Sequence, residues 1–166
     1  MSNEKKTASQ TALIFAPDEP DTGKIGSLLA KIVNQGDLVL FAGDLGAGKT
    51  ALARALIRSL LKTPELEVPS PTFLLVLPYQ GQGWSILHAD LYRLNEPEEL
   101  DELGLDDNPN ALVLIEWAQR APELESRADL IISLEIPDDG TGRRINIKSV
   151  NGQHDLSVFF PEFSGG

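Results

Sequence analysis

The chain contains no cysteine. Disulfides, thiolate nucleophiles and cysteine-based zinc sites are thereby excluded, although the absence does not by itself fix the compartment. Histidine is nearly as scarce: only His88 and His154 occur, too far apart to form an i,i+4 pair, so a metal site built on histidine is not expected. No apolar run approaches the ~18 residues of a membrane span. The opening Met-Ser-Asn-Glu-Lys-Lys-Thr lacks the apolar centre of a signal peptide. Both absences set the expectation of a cytoplasmic protein with no membrane partner. Positive charge is also in short supply, with 14 Lys and Arg against 25 Asp and Glu and a net charge of −11. Affinity for nucleic acid rests on Lys and Arg contacts to phosphate. Any RNA or DNA is therefore expected to be held by another protein.

What is present is concentrated between Leu38 and Leu61. An apolar run, Leu38 to Ala42, is followed by Gly43-Asp-Leu-Gly46-Ala-Gly48-Lys49-Thr50 and then by Leu52, Ala55, Leu56 and Leu60 at helical spacing. A Gly, four residues, then Gly-Lys-Thr is the spacing of a phosphate-cradling loop. Glycines let successive backbone N–H groups turn inward, where a Cβ would obstruct them. The helix start adds unpaired N–H groups and a positive dipole end. In such a loop Lys49 bridges the β- and γ-phosphates and the Thr50 hydroxyl takes one position on Mg²⁺. The plainer alternative is a glycine-rich turn between two core elements. No Asn-Lys-x-Asp signature for guanine occurs, which favours ATP, and no arginine block suggests a kinase lid.

The 166 residues suit one domain, taken as 11–160 between flexible tails at 1–10 and 161–166. Thr11 to Ala16 reads as a strand broken by Pro17-Asp-Glu-Pro20-Asp21, after which Asp21 or Thr22 caps a helix carrying Ile25, Leu28, Leu29, Ile32 and Val33. Beyond the loop unit come a strand at Leu74 to Leu77, a glycine-containing turn at Gly81 to Gly83 and a second arm from Trp84. Asn95 with Glu98 reads as a capping box for a short helix ending near Gly104. Ala111 to Ile115 is a second buried strand. Asp129 to Ile136 and Arg144 to Val150 form a hairpin, and Leu156, Val158, Phe159 and Phe160 suggest one more edge strand. The expected fold is a three-layer α/β phosphate-loop NTPase with a mainly parallel central sheet and an antiparallel edge.

A phosphate loop hydrolyses nothing without a metal and a positioned water, so carboxylates at neighbouring strand ends are the next candidates. Glu116 closes the second apolar run, where a Walker-B acid holds Mg²⁺; it is otherwise a polar strand terminus. Asp90 is placed to hold a metal-bound water or orient the attacking one, or else to cap a turn. Thr72 sits where nucleotide switches read the γ-phosphate, or is simply the start of a strand. Arg93 is either an arginine finger or a cover for apolar surface. His88 is given a structural or hydrogen-bonding role, and Trp117 a packing one. Arg143 and Arg144 either reach the base or phosphates or are hairpin charges.

Taken together, Gly43 to Thr50, Pro69-Ser-Pro-Thr-Phe73, His88-Ala-Asp-Leu-Tyr-Arg-Leu94 and Leu114-Ile-Glu-Trp117 resemble the TsaE family, formerly YjeE, over roughly Asp18 to Ile147. The resemblance implies the ATPase component of the machinery that makes N6-threonylcarbamoyladenosine at position 37 of tRNAs, acting with TsaD and TsaB proteins that handle the tRNA. It implies that Leu45, Gly46, Ala47, Gly48, Lys49 and Thr50 contact ATP, and that Thr50 and Glu116 bind Mg²⁺. Asp90, Lys49 and Glu116 would serve catalysis, and Trp117 would belong to the same centre. Thr22 matches a position near the nucleotide, and Arg144 of the arginine pair is the expected further contact. Ala51 and Ala118 depart from the usual Thr and Pro. Two other functions remain open: a small-molecule kinase, and a nucleotide-sensing interaction module with little hydrolysis.

Overall fold

A computed structural model describes residues 10–73 and 75–160. The strands are β1 (Gln10–Ala16), β2 (Leu38–Ala42), β3 (Val76–Gly81), β4 (Trp84–Asp90), β5 (Leu112–Glu116), β6 (Leu130–Glu135) and β7 (Arg143–Ser149). They form one seven-stranded sheet in the order β1-β7-β6-β2-β5-β4-β3. The four central strands, β6, β2, β5 and β4, are mutually parallel. Antiparallel pairs flank them on both sides, β6–β7–β1 at one edge and β3–β4 at the other, where the sequence had suggested a single antiparallel edge. The β3–β4 connection explains the second: Gln82 and Gly83 take φ of 52° and 80°, and two consecutive left-handed residues make a tight hairpin.

Strand alternation sends Val39 and Phe41 of β2 to one face of the sheet and Leu40 to the other, all fully buried. Helices α1 (Glu19–Ile32) and α2 (Lys49–Leu61) pack on the first face. The second is covered by a short α3 (Glu98–Glu102) and by 3₁₀ turns at Ala118–Arg120 and Pro122–Arg127. This gives three layers, one of them thin. At 25 cal/mol per Å², each fully buried Leu, Val or Phe contributes about 1.5–3 kcal/mol, so the paired faces around β2 are the main source of cohesion. Beyond β6 the second face is left bare by the described residues, and Leu13 and Phe15 of β1 stand exposed there.

Some local expectations shift. Asp18, not Asp21 or Thr22, caps α1 by accepting from the Asp21 N–H at 3.1 Å, and the helix already begins at Glu19. Pro20 does not break it, because a first-turn residue needs no intrahelical N–H bond. The acid that reaches back to the Asn95 N–H is Glu99, at 3.3 Å, rather than Glu98. β3 starts at Val76 because Leu75 takes a φ of 66°, which no strand residue adopts; Leu74 lies outside the described residues. The expected last strand is instead a 3₁₀ turn, Leu156–Phe159, whose buried Leu156 and Phe159 sit three apart and face β1 and α1. β1 takes in Gln10, the last residue of the tail expected at 1–10, while residues 1–9 and the tail expected at 161–166 lie outside the described residues. Among the described residues no helix is long and apolar enough to cross a membrane.

Candidate functional site

β2 ends at Ala42 and the chain turns through Gly43 to Gly48 into α2. A Cβ on Gly43 would lie 2.5 Å from the Leu134 carbonyl oxygen, so the loop can hug β6 only with glycine there. Gly48 takes a φ of 102°, outside the range of side-chain-bearing residues. It also leaves the N-terminus of α2 without a side-chain cap, and the first turn carries no acid. α1, by contrast, is capped by Asp18 and carries Glu19 and Asp21 in its first turn. The start of α2 thus keeps unpaired N–H groups and an unneutralised positive dipole end, which is what an anion requires.

Lys49 is buried beside this loop, its Nζ donating to the Gly43 and Asp44 carbonyls at 2.6 and 2.9 Å. The ammonium lies 4.1 Å from the centre of the Trp117 ring. Burial lowers its pKa from the ordinary lysine value, and the nearby carboxylates of Glu116, Asp90 and Asp44 partly restore it. Trp117 holds this position with a φ of 56°, an uncommon backbone for a bulky residue. Gln119, which the sequence did not single out, donates to the Gly43 carbonyl at 3.2 Å.

The acids arrive on two neighbouring strands. β4 and β5 are parallel with Asp90 opposite Glu116, and alternation turns His88, Asp90 and Glu116 toward the α2 face of the sheet. The Thr50 hydroxyl donates to Glu116 Oε1 at 2.7 Å. The other oxygen, Oε2, lies 2.5 Å from His88 Nε2. Asp90 is buried and accepts on Oδ2 from Thr72 at 3.0 Å and Ser70 at 3.3 Å, and on Oδ1 from the Tyr92 N–H at 2.8 Å. The Pro69 to Phe73 segment is thereby tied to the end of β4. His88 and Asp90 are two apart on β4 and share its face, and the pairing of β4 with β5 brings His88 to Glu116.

A hydroxyl and a carboxylate that meet beside a lysine and a free helix N-terminus fit Mg²⁺ with a nucleotide. Mg²⁺ takes oxygen ligands, commonly one or two carboxylates, with substrate phosphates and water completing its shell. Consistent with that, no cluster of three His, Cys, Asp or Glu able to cage a metal occurs among the described residues. Leu45 stands exposed at the crest of the loop. The Ala47 side chain is buried and its N–H goes to the Asp44 carbonyl at 3.0 Å. Thr22 lines a cavity of about 240 Å³ beside Gly48 and Ala51, bounded also by Gly142 and Arg143.

Arg144 is not brought to the loop. It points to the bare face of the sheet, 3.8 Å from Glu135. Arg143 takes the expected place, its Nη2 donating to the Gly46 carbonyl at 3.1 Å. A shift of one residue along a strand exchanges faces, and Ile145 and Ile147 alternating with Asn146 and Lys148 put Arg143 on the packed face and Arg144 on the other. Arg93 lies over the exposed Phe73 ring at 4.4 Å.

Known proteins resemble this chain in sequence and in fold. Residues 16–145 match the family described as "Threonylcarbamoyl adenosine biosynthesis protein TsaE". A protein of Rickettsia felis named "tRNA threonylcarbamoyladenosine biosynthesis protein TsaE" is 38% identical over 128 residues, 76% of this chain and 74% of that protein. A protein of the same name from Haemophilus influenzae is 33% identical over 152 residues, covering 87% and 95%. The crystal structure of Bacillus subtilis YdiB superposes with a TM-score of 0.68 over 88% of this chain and 90% of that one, at 24% identity, and so shares its fold. With the family matched across the loop, both acid-bearing strands and the start of β7, the chain belongs to the TsaE family.

Proposed function

We propose that this protein is a Mg²⁺-dependent ATPase that supports formation of threonylcarbamoyladenosine in tRNA, in the cytoplasm, together with TsaD and TsaB proteins. The observation that carries the reading is the 2.7 Å bond between Thr50 and Glu116 at the uncapped start of α2. The loop amides and the α2 N-terminus hold the phosphates, and the Lys49 ammonium reaches the β- and γ-groups. Thr50 and Glu116 offer oxygens to Mg²⁺, which when bound neutralises charge on the phosphates. Water attacks the γ-phosphorus in line as the bond to the bridging oxygen breaks, releasing ADP and phosphate. The acidic surface, at −11 overall, supports leaving the tRNA to the partners.

A second reading draws on Asp90. Its oxygens already hold Thr72, Ser70 and the Tyr92 amide, so this acid fastens the 70–73 segment as much as it faces the site. On that basis turnover is slow in the isolated protein and rises when partners reshape this segment. ATP hydrolysis measured with and without TsaD and TsaB tests both points. Glu116→Gln lowers turnover by at least about a hundredfold, the scale of losing a metal-positioning charge, while nucleotide binding without Mg²⁺ persists. Full activity in the isolated protein, unchanged by partners, contradicts the regulated reading; full activity of Glu116→Gln contradicts the assignment of the acid.

A further inference from the structure

His88 is a buried titratable group beside the site that the proposed chemistry leaves unused. It is fully buried in β4, its Nε2 faces Glu116 Oε2, and its Nδ1 finds no hydrogen-bond partner among the described residues. An N–H at Nδ1 would be a buried donor without an acceptor, which costs about 1–3 kcal/mol. The favoured tautomer therefore carries its proton on Nε2 and donates it to Glu116. Glu116 is itself buried, with Oε1 turned to Thr50. One carboxylate oxygen is thus anchored from below and the other is presented to the loop.

We propose that His88 is a positioning residue that fixes the Glu116 carboxylate in the orientation that serves Mg²⁺, a role that rests on reading Glu116 as a metal ligand. A glutamate side chain has three rotatable bonds, and the Lys49 ammonium nearby offers its carboxylate a competing partner. Without the imidazole, Oε2 becomes a buried acceptor with no donor and the side chain is free to turn away from Thr50. Hydrogen-bond partners behind a metal ligand commonly change metal affinity tenfold to a hundredfold. A merely space-filling histidine predicts no such effect.

The test is ADP affinity, measured by calorimetry in EDTA and in saturating Mg²⁺, for the wild type, His88→Leu and His88→Gln. His88→Leu is expected to lose about tenfold or more of the gain that Mg²⁺ confers while keeping its affinity in EDTA. His88→Gln, whose amide N–H stands in for Nε2–H, retains most of that gain. A full Mg²⁺ gain in His88→Leu, or an equal loss in both variants, overturns the proposal. A wild type that binds ADP equally with and without Mg²⁺ overturns the metal reading of Glu116 beneath it. Should His88→Leu fail to fold, imidazole ¹⁵N spectra of the wild type decide the matter, with His154→Gln assigning the signals. A proton on Nε2 of His88 is expected; an Nε2 without one removes the donor and sinks the idea.

Discussion

Arg143 and Arg144 differ by one position and by everything that matters to the site: the first donates to the Gly46 carbonyl, while the second extends over the far face toward Glu135. A charge-assisted hydrogen bond is worth about 1.5–3 kcal/mol. Arg143→Ala is therefore expected to weaken ATP binding about tenfold, and Arg144→Ala to leave it within twofold, in parallel titrations. The alternation of Ile145 and Ile147 with Asn146 and Lys148 does separate the pair, since Arg143 has the parity of the isoleucines and Arg144 that of the polar residues. Lys49, Thr50 and Glu116 were legible as well. The loop spacing names the first two, and an acid at the end of a wholly apolar run falls at the edge of a buried strand. For His88 a structural or hydrogen-bonding role was legible but its partner was not, because the partner depends on the register between β4 and β5, and strand pairing is written in no local pattern.

Among the elements, α1 and α2 pack directly against each other, and glycine sets their approach. A Cβ on Gly26 would lie 2.4 Å from Ala55 Cβ and 3.0 Å from the Leu56 nitrogen, so α1 must slide outward to accept one. Overpacking of this kind costs about 1–3 kcal/mol. Gly26→Ala is expected to lower Tm by several degrees in a thermal melt, even though alanine is the better helix former. The long helices could be read from periodicity, and β2 and β5 from unbroken apolar runs, since both patterns report burial directly. Elements held by special backbone geometry could not. Leu75 leaves the strand region at φ 66°, and the stretch after Asn151 coils into a 3₁₀ turn because β1, already paired with β7, buries Leu156 and Phe159 without a further strand.

For the molecule as a whole, the end of the sheet away from the loop is closed by a buried polar clasp. His154 Nε2 donates to Asp37 Oδ2 at 2.7 Å, and Asp37 also accepts from the Asn34 amide at 2.8 Å. Beside it Asp129 accepts from the Leu38 N–H at 2.8 Å. The bond to Asp37 raises the His154 pKa above 6.5, and burial raises that of Asp129 above 3.8. Both shifts have one sign. Each raised pKa lends stability that is complete below the unfolded value and disappears as pH climbs through the folded one. For His154 that window opens above 6.5. Wild-type Tm is expected to fall as pH rises above 6.5, and the fall attributable to this clasp is absent in His154→Gln. A wild type and variant with parallel Tm profiles would remove His154 as the source.

The site draws on chain segments around residues 48, 72, 90 and 116 that meet only because parallel strands pair across long stretches of sequence. Such pairing is late and slow to form. A nucleotide held there has nothing to recognise in a half-assembled chain. Its benefit falls on the escape rate from the finished structure and leaves the speed of assembly nearly untouched. A saturated protein should accordingly resist proteases for longer without refolding any sooner.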